Sequence, residues 1–490
     1  MSTTVTQQQT FFDRALTNLS TVWRDLAEGA ARSIGVKVGD AGADDAGALQ
    51  KLMQACLDAR GGEVSARARA AELGRIYLRL DADGRRRFLE VLAHRFAIDG
   101  KSVAEAIELY ETAADEAGRL IAERRLRQAL VPPRQRLLTQ FNALPEGVKF
   151  LSDLRADLLT WRDEDPQLRG LDDDLRELLA SWFDTGFLDL RRITWESSAA
   201  LLEKLIAYEA VHEIRSWEDM RNRLDSDRRC YALFHPRMPN EPLAFVEVAL
   251  VKGMAGNVQA LLDEEAPRAD PSEADTAIFY SISNTQRGLQ GISFGDHLIK
   301  AVVQQMNHEL PQIQAFATLS PIPGFRKWLA AQEEDGLRMA LSEEEEERLR
   351  EFSTAESLPE VLAELLSSPD WWRQEPVAKA LEAPLVRLCL RYFLDKDAKG
   401  QPHDPVARFH LRNGARLERI NWLGDLSSRG LKQSAGLMVN YRYLPDEIEK
   451  NHEAFVGKGT IVLGTDPRSQ ARRLKEAAGA GKPLRRLRIA

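Results

Sequence analysis

The sequence has few cysteines and no long apolar run, and both absences limit the classes of protein it can belong to. Its 490 residues include three cysteines, Cys56, Cys230 and Cys389, which lie far apart and form no CxxC pair. This sparse, odd set argues against a disulfide framework or a zinc ribbon and fits a reducing compartment. No stretch reaches the roughly 18 apolar residues that a membrane span needs, and the first thirteen residues contain no Lys or Arg. We therefore expect a soluble, cytoplasmic protein that does not act at a membrane.

An excess of basic charge is also missing. Asp and Glu total 75 against 67 Lys and Arg, a formal net charge of −8. This balance excludes a generally basic surface for nucleic acid, although it is compatible with a local basic pocket for an anionic ligand. Hydrophobic residues make up 44% and charged residues 29% of the chain, as in globular rather than disordered proteins.

The sequence also lacks the common motifs for metals and nucleotides. Its eight histidines form no HExxH pair and no paired Cys/His spacing, so we predict no metal site. Residues 479–482 resemble the end of a P-loop, but Pro483 stands where Ser or Thr is needed, and Glu476 stands where the first glycine is needed. No GxSxG elbow and no biotin attachment lysine occurs.

The periodicity of apolar residues divides the chain into three parts. Residues 1–188 have helical spacing and predict an all-helical bundle that serves in scaffolding or oligomer contact. Residues 189–465 predict an α/β region that carries a helical insertion at about 341–394. The basic residues 466–490 are a candidate mobile tail. The amphipathic helical domain also leads us to expect a homo-oligomer, either a dimer or a tetramer.

A strand, a glycine-containing loop, a helix and a second strand follow one another in the α/β part. The strands are predicted at 276–283 and 314–320 and the helix at about 295–310, where Pro311 ends it. This order predicts a parallel crossover. Because glycines allow close backbone approach and a helix N-terminus attracts anions, the loop is a candidate pyrophosphate site. The alternative is a tight turn that needs glycine only for its conformation.

Two further segments carry residues of chemical interest. Ser320 lies at the C-terminal end of the second parallel strand, where ligands gather, and the adjacent prolines restrict its backbone. His410 lies near the end of a short helix predicted to begin at Asp404-Pro405, where the helix dipole favours a protonated imidazole. The alternatives are a rigid turn at Ser320 and a helix C-cap at His410. Tyr443 ends a late strand, where aromatic residues are usually core.

Four ordered motifs resemble the malonyl-CoA decarboxylase family. They are Phe279-Tyr280-Ser281-Ile282-Ser283 with Gln286 and Gly288-Leu289-Gln290-Gly291, then Leu319-Ser320-Pro321-Ile322-Pro323-Gly324-Phe325, then 404–411, then 436–443. The resemblance implies a helical N-terminal domain followed by a catalytic domain of the GNAT acetyltransferase fold. It also implies conversion of malonyl-CoA to acetyl-CoA and CO2. The only coenzyme expected is the coenzyme A of the substrate.

The same resemblance implies roles for individual residues. Ser320 and His410 are the expected active-site serine and histidine, and Ser281 and Tyr443 are supporting hydroxyls that we expect to orient the substrate carboxylate. The expected malonyl-CoA loop consists of Gln290, Gly291, Ile292, Ser293, Phe294, Gly295 and Asp296, together with contacts from Ser320 and His410. Some members carry a glutamate where this chain has Ser293, and Ser293 cannot fill a role that needs a carboxylate.

Malonyl-CoA decarboxylation places particular demands on such a site. Loss of CO2 leaves a thioester enolate, and because the thioester itself accepts the electrons, no metal, biotin or pyridoxal is required. We assign the oxyanion contact to backbone N–H groups near the loop or to His410, and the proton to a coupled His410–Ser320 pair. Two alternatives remain: an acyl-CoA-dependent N-acetyltransferase of the same fold, and a non-catalytic CoA-binding or interaction protein.

Overall fold

The protein contains a helical region followed by a sheet with its own helices. The computed structural model describes residues 19, 21–24, 46–58, 62–292, 294–397 and 400–471. It divides into two compact units. The helical unit is Met1–Asp189 with Phe234–Leu243 and Thr285–Ser293, and the sheet unit is Leu190–Leu233, Ala244–Asn284 and Phe294–Ala490. The predicted α+β class is confirmed.

In addition to the helical residues 19 and 21–24, the helical unit contains eight α-helices among the described residues. They are α1 Ala46–Leu57, α2 Gly62–Arg79, α3 Ala82–Arg95, α4 Gly100–Glu111, α5 Glu116–Ala129, α6 Pro133–Asn142, α7 Gly147–Trp161 and α8 Pro166–Trp182. Short 3-10 helices span Arg162–Glu164, Thr185–Phe187 and Arg287–Leu289. Aspartates cap several of them, and Asp81 accepts a hydrogen bond from the Gly84 N–H at the start of α3. The apolar stripe predicted on α3 is buried at Phe88, Leu89 and Leu92.

The sheet unit is built on one eight-stranded sheet. Its strands are β1 Asp189–Ile193, β2 Arg228–Phe234, β3 Ala244–Val251, β4 Thr276–Asn284, β5 Ala315–Thr318, β6 Ser320–Pro321, β7 Arg416–Asn421 and β8 Met438–Tyr443. The strand order is β1-β2-β3-β4-β5-β8-β6, and β7 pairs with β8. Strands β2 to β5 are almost entirely buried, which explains their near-continuous apolar sequences.

The helices of this unit connect and flank the strands. They are α9 Ala199–Tyr208, α10 Trp217–Asn222, α11 Val258–Leu261, α12 Gly295–Glu309, α13 Phe325–Ala330, α14 Glu334–Arg338, α15 Glu343–Arg350, α16 Leu358–Ser367, α17 Glu375–Leu394, α18 Pro405–Arg412, α19 Ser428–Ser434 and α20 Ile448–Lys458. The remaining 3-10 helices are Pro271–Glu273, Trp371–Arg373 and Pro445–Glu447. Helices α15 to α17 lie within the predicted insertion at about 341–394, and α13, α14 and α18 also lie between β6 and β7. Residues 465–471 are also helical, and the rest of the predicted tail lies outside the described residues.

The predicted parallel crossover is present, and only part of β4 pairs with β5. Residues Thr276–Phe279 of β4 pair in parallel with Ala315–Thr318 of β5, and α12 lies between them in sequence. The pairing stops there, whereas β4 continues to Asn284. Tyr280 forms a bulge against β3, because Phe279 pairs with Val248 and Ser281 with Glu247. Residues Tyr280–Asn284 of β4 therefore do not pair with β5. Strand β6 begins at Ser320, two residues after β5 ends.

Two further observations on the described residues concern membrane-spanning helices and cysteines. No helix there is both long and apolar enough to cross a lipid bilayer. All three cysteines are buried and unbonded to one another.

Candidate active site

Three of the residues implicated by sequence form one hydrogen-bonded row. Ser320 Oγ lies 3.2 Å from His410 Nε2, and His410 Nδ1 lies 2.8 Å from the Tyr443 hydroxyl oxygen. Ser320 Oγ also donates to Thr318 Oγ1 at 2.8 Å. Although 90 residues separate Ser320 from His410 in sequence, the fold places them in contact. All of these side chains are buried.

Local sequence explains how each member is placed. Helix α18 begins as predicted, with the Asp404 carboxylate accepting from the Ala407 N–H at 2.8 Å and proline at its first position. This start sets the turn from which His410 projects. Ser320 pairs with Val439 of β8, and Tyr443 ends the same strand, where Phe316 of β5 pairs with it. Strand β8 therefore carries one member of the row and aligns another.

A layer of further side chains holds the row in position. The Tyr441 ring stacks on the His410 imidazole with centroids 4.6 Å apart and planes 25° apart. Thr318 Oγ1 accepts from the Tyr441 N–H at 3.2 Å, and Asn440 Nδ2 donates to the Thr318 carbonyl at 2.8 Å. Sequence analysis assigned Thr318 and Tyr441 no role. The sequence feature that could have found them is the alternation of side chains along a strand. It places Thr318 on the same face as Ser320, and Tyr441 on the same face as Tyr443.

Burial determines the charge of His410. Desolvation lowers the pKa of His410 from its ordinary 6.5 to about 3. Each pKa unit corresponds to about 1.4 kcal/mol, so this effect exceeds the roughly 0.3–2 kcal/mol that a helix C-terminus contributes to a cation. Desolvation therefore outweighs the effect of the helix end, and the imidazole is neutral at neutral pH.

A neutral imidazole has one donor and one acceptor nitrogen, so His410 donates one of its two hydrogen bonds and accepts the other. With the Ser320 hydroxyl donating to Thr318 Oγ1, the Ser320 oxygen accepts from the His410 Nε2–H. His410 Nδ1 then accepts from the Tyr443 hydroxyl. The row then donates in one direction, from Tyr443 through His410 and Ser320 to Thr318, and the opposite tautomer reverses all three hydrogen bonds.

Ser281 belongs to a separate hydrogen-bonded group. Its hydroxyl donates to both carboxylate oxygens of Glu209, at 2.7 and 2.8 Å, and the Ser283 hydroxyl donates to the same carboxylate at 3.2 Å. The backbone N–H groups of Val211 and His212 also donate to Glu209, each at 2.8 Å. Sequence analysis missed Glu209, which lies 72 residues from Ser281 and carries no local motif.

The two hydroxyls assigned to the substrate carboxylate both have protein partners. Tyr443 lies on the Nδ1 side of the imidazole, opposite Ser320, and Ser281 is bound to Glu209. The structure therefore places Tyr443 where it orients His410. A direct contact of either hydroxyl with a substrate carboxylate stays a prediction.

Gly288, just before the predicted malonyl-CoA loop, and Gly291, within it, are glycines for different physical reasons. A Cβ on Gly288 would lie 1.7 Å from the Ser152 carbonyl oxygen, so this glycine permits close packing against α7. Gly291 has a φ of +82° and open space around its Cα, where a Cβ would have no heavy atom nearer than 4.0 Å. Gly288 is therefore required by packing, and the positive φ of Gly291 agrees with the alternative of a tight turn that needs glycine for its conformation; the space beside Gly291 is also open to a ligand.

The remaining loop residues divide between the units. Gln290, Gly291 and Ile292 belong to the helical unit, and Phe294, Gly295 and Asp296 begin the part of the sheet unit that contains α12. Phe294 is buried, and α12 starts at Gly295 as predicted. Ser293 lies outside the described residues.

A buried arginine of the helical unit holds this loop. Arg155 Nη1 donates to the carbonyl oxygens of Gly288 at 2.7 Å and Gln290 at 2.9 Å, and its Nε donates to Asp172 at 2.7 Å. Sequence analysis missed this residue. The sequence feature that could have found Arg155 is a charged residue on the apolar face of α7, beside the buried Leu151, Leu154 and Leu158.

The described part of the chain contains no group of three or more His, Cys, Asp or Glu side chains placed to hold a metal ion. The prediction that the reaction needs no cofactor stays a prediction.

Comparison with known proteins gives matches over both units. A family model described as the malonyl-CoA decarboxylase C-terminal domain matches residues 186–480, and one described as the malonyl-CoA decarboxylase N-terminal domain matches residues 96–183. The chain is 40% identical to mitochondrial malonyl-CoA decarboxylase of Anser anser anser, over 80% of this chain and 81% of the relative. It is 40% identical to the Rattus norvegicus protein of the same name, over 78% and 80%.

Solved structures give the same result. The crystal structure of malonyl-CoA decarboxylase from Rhodopseudomonas palustris is 43% identical, with a TM-score of 0.78 over 87% of this chain and 99% of that one. The corresponding structure from Agrobacterium vitis is 40% identical, with a TM-score of 0.76 over 86% and 99%. The likeness therefore extends over nearly the full length of each solved chain.

Proposed function

Because the chain belongs to the malonyl-CoA decarboxylase family, we propose that it converts malonyl-CoA to acetyl-CoA and CO2 through an enolate that the Ser320–His410 pair protonates. The observation that carries the mechanism is the buried row of Tyr443, His410 and Ser320, whose donors all run in one direction. Such a row supplies a positioned proton in an environment from which water is largely removed.

The proton comes from neutral donors. When the bond between the α-carbon and the carboxylate breaks, its electron pair enters the thioester enolate, whose carbon is a stronger base than an alkoxide. The Ser320 hydroxyl therefore protonates the carbon without help from an imidazolium. Ser320 recovers a proton from His410 Nε2, and His410 recovers one at Nδ1 from Tyr443. The negative charge then rests on a phenol oxygen, the most acidic of the three groups, and the row regains a proton from solvent through Ser320 once the products have left.

The enolate oxygen needs a donor in addition. The two candidates remain backbone N–H groups of the loop and the His410 Nε2–H. Removal of one such donor costs about 3–4 kcal/mol of transition-state stabilisation in a well-studied hydrolase. A neutral His410 is suited to either role, because donation to an oxyanion does not require a charged ring.

The GNAT fold is part of the proposal. Its support is the parallel β4–β5 pair that separates after Phe279 and Thr318, the bulge at Tyr280, and the glycine-containing loop that leads into α12. The domain assignment is part of it too, with a helical domain at 1–188, a catalytic domain at 189–465 and a tail at 466–490. In this arrangement the pyrophosphate binds at residues 290–296, where a helix N-terminus favours anions.

We extend the proposal to self-association through the helical unit. Helices α4 and α5 have one buried residue each, Ala106 and Ala122. Their exposed apolar side chains include Leu120 at 59% and Ile121 at 68% exposure, which favours a contact with a second copy. A dimer or tetramer measured by light scattering would agree with this, and a monomer at micromolar concentration would contradict it. The cytoplasmic location stays a prediction, since the relatives above are named mitochondrial.

Incubation of the purified chain with malonyl-CoA alone tests the proposed function. We expect equal amounts of CO2 and acetyl-CoA without a second substrate, and one deuterium in the acetyl methyl group when the solvent is D2O. An N-acetyltransferase would need an amine acceptor, and a binding protein would bind malonyl-CoA without releasing CO2. Dialysis against EDTA is expected to leave the rate unchanged, and Ser320→Ala serves as the inactive control.

A further inference from the structure

The helical unit contributes more to the proposed reaction than a scaffold does. We propose that Arg155 is a positioning residue for substrate binding, because it orients the backbone of the loop that grips the pyrophosphate of coenzyme A. The inference rests on the proposed function, since it takes Gln290, Gly291 and Ile292 to belong to the coenzyme A site. It assigns to α7 a defined effect on substrate affinity.

The contacts of Arg155 are directed at the loop backbone. One guanidinium nitrogen, Nη1, donates to the carbonyl of Gln290 in the loop and to that of Gly288 just before it, although these lie 135 and 133 residues away in sequence. Gly288 also lies against the Ser152 carbonyl, one turn earlier on the same helix. The loop is therefore fixed to α7 both by packing and by two charge-assisted hydrogen bonds.

This arrangement determines where a loop N–H points. In a planar trans peptide, the carbonyl of one residue and the N–H of the next point in opposite directions. Because the Gln290 carbonyl points to Arg155, the N–H of Gly291 points away from it. Gly291 has a positive φ, and a Cβ built on it would have no heavy atom nearer than 4.0 Å, so there is open space on that side of the residue. We assign its N–H as a donor to the pyrophosphate.

Arg155 itself does not reach the ligand. Its side chain is 2% exposed, and its charge is balanced by Asp172, which is 7% exposed and also binds Arg162 Nη1 at 3.1 Å. The guanidinium therefore acts on the pyrophosphate only through the loop backbone. A direct anion ligand would be reachable from solvent and without a close carboxylate.

A second buried pair in the helical unit provides a matched control. Arg134 is 7% exposed, donates through Nε to Asp174 at 2.5 Å, and donates through Nη1 to the Ala93 carbonyl at 2.9 Å. It thus has the same chemistry as Arg155 with Asp172. Its carbonyl partner lies in α3, however, and not in the loop.

The test compares Arg155→Met/Asp172→Asn with Arg134→Met/Asp174→Asn, so that neither variant leaves a buried carboxylate without its arginine. For the loop variant we expect the KM for malonyl-CoA and the Kd for coenzyme A to rise at least about tenfold, the effect of losing one hydrogen bond to a charged group. We expect kcat to stay within about threefold. The control should change neither quantity. Arg155→Lys, which keeps the charge, should give an intermediate KM.

A truncated substrate separates positioning from general damage. Malonyl-pantetheine lacks the pyrophosphate, so its kcat/KM should be the same in the loop variant and in the unaltered protein. An equal loss with both substrates, or an equal rise of KM in the two double variants, would overturn the inference. So would an unchanged Kd for coenzyme A.

Failure of the proposed function would have a different signature. If the unaltered protein released no CO2 from malonyl-CoA, the decarboxylase assignment would fail. The Kd for coenzyme A, measured by calorimetry on the same variants, would still decide whether Arg155 positions the loop.

Discussion

Replacement of His410 by glutamine is expected to change how the stability of the folded protein depends on pH. The folded pKa of His410 is about 3, whereas the ordinary value of 6.5 applies to the unfolded chain. Between these two pH values the unfolded chain binds a proton that the folded chain does not. Stability contributed by the neutral imidazole is therefore complete above pH 6.5 and is lost as the pH falls toward 3.

The size of the effect follows from the two pKa values. At about pH 4.5 the unfolded imidazole is almost fully protonated and the folded imidazole is still neutral, which corresponds to a loss of about 2.5 kcal/mol relative to pH 7. The His410→Gln variant has no such group. The difference in free energy of unfolding between the unaltered protein and the variant should therefore shrink by about this amount across that interval.

Urea unfolding, followed by tryptophan fluorescence at several pH values from about 7 down to 4.5, measures this difference. Asp404, whose pKa burial raises to about 6, gains stability as the pH falls, but it is common to both proteins and cancels. His308→Gln, at an exposed position on α12, serves as the control and should keep the slope of the unaltered protein. A constant difference between the unaltered protein and His410→Gln would refute a buried neutral imidazole.

Three further predictions follow from the site. Ser320→Ala removes the hydroxyl that donates to the carbon and should lower kcat at least about a hundredfold, while malonyl-CoA still binds by calorimetry; near-normal CO2 release would remove Ser320 from the mechanism. Tyr443→Phe keeps the buried ring and removes the donor to His410 Nδ1, so kcat should fall about tenfold or more with an unchanged KM; a rise in KM alone would instead favour the contact with the substrate carboxylate. Gly288→Ala places a Cβ 1.7 Å from the Ser152 carbonyl, and the forced shift should destabilise the protein by about 1–3 kcal/mol in chemical unfolding; Gly291→Ala should cost about 1 kcal/mol through its positive φ, and equal losses for the two would contradict the packing role of Gly288.

The sequence by itself determined which elements form and which family the chain belongs to. The apolar spacing of Leu298, Val302 and Met306 predicted the buried face of α12, and Asp404-Pro405 predicted the start of α18. The strand, loop, helix and strand order predicted the parallel β4–β5 pair. These features are accessible because propensity, capping and turn chemistry act between residues a few positions apart. The four ordered motifs added the family.

The charge of His410 and the partners of the buried polar groups were decided by the tertiary structure alone. Nothing near His410 in sequence shows that Tyr441 covers its ring and that burial outweighs the helix dipole. The Glu209 carboxylate that binds Ser281 and the arginine that holds the loop come from distant segments. The physical reason is that desolvation and hydrogen bonding depend on every atom within a few ångströms, and folding gathers those atoms from parts of the chain that no local pattern connects.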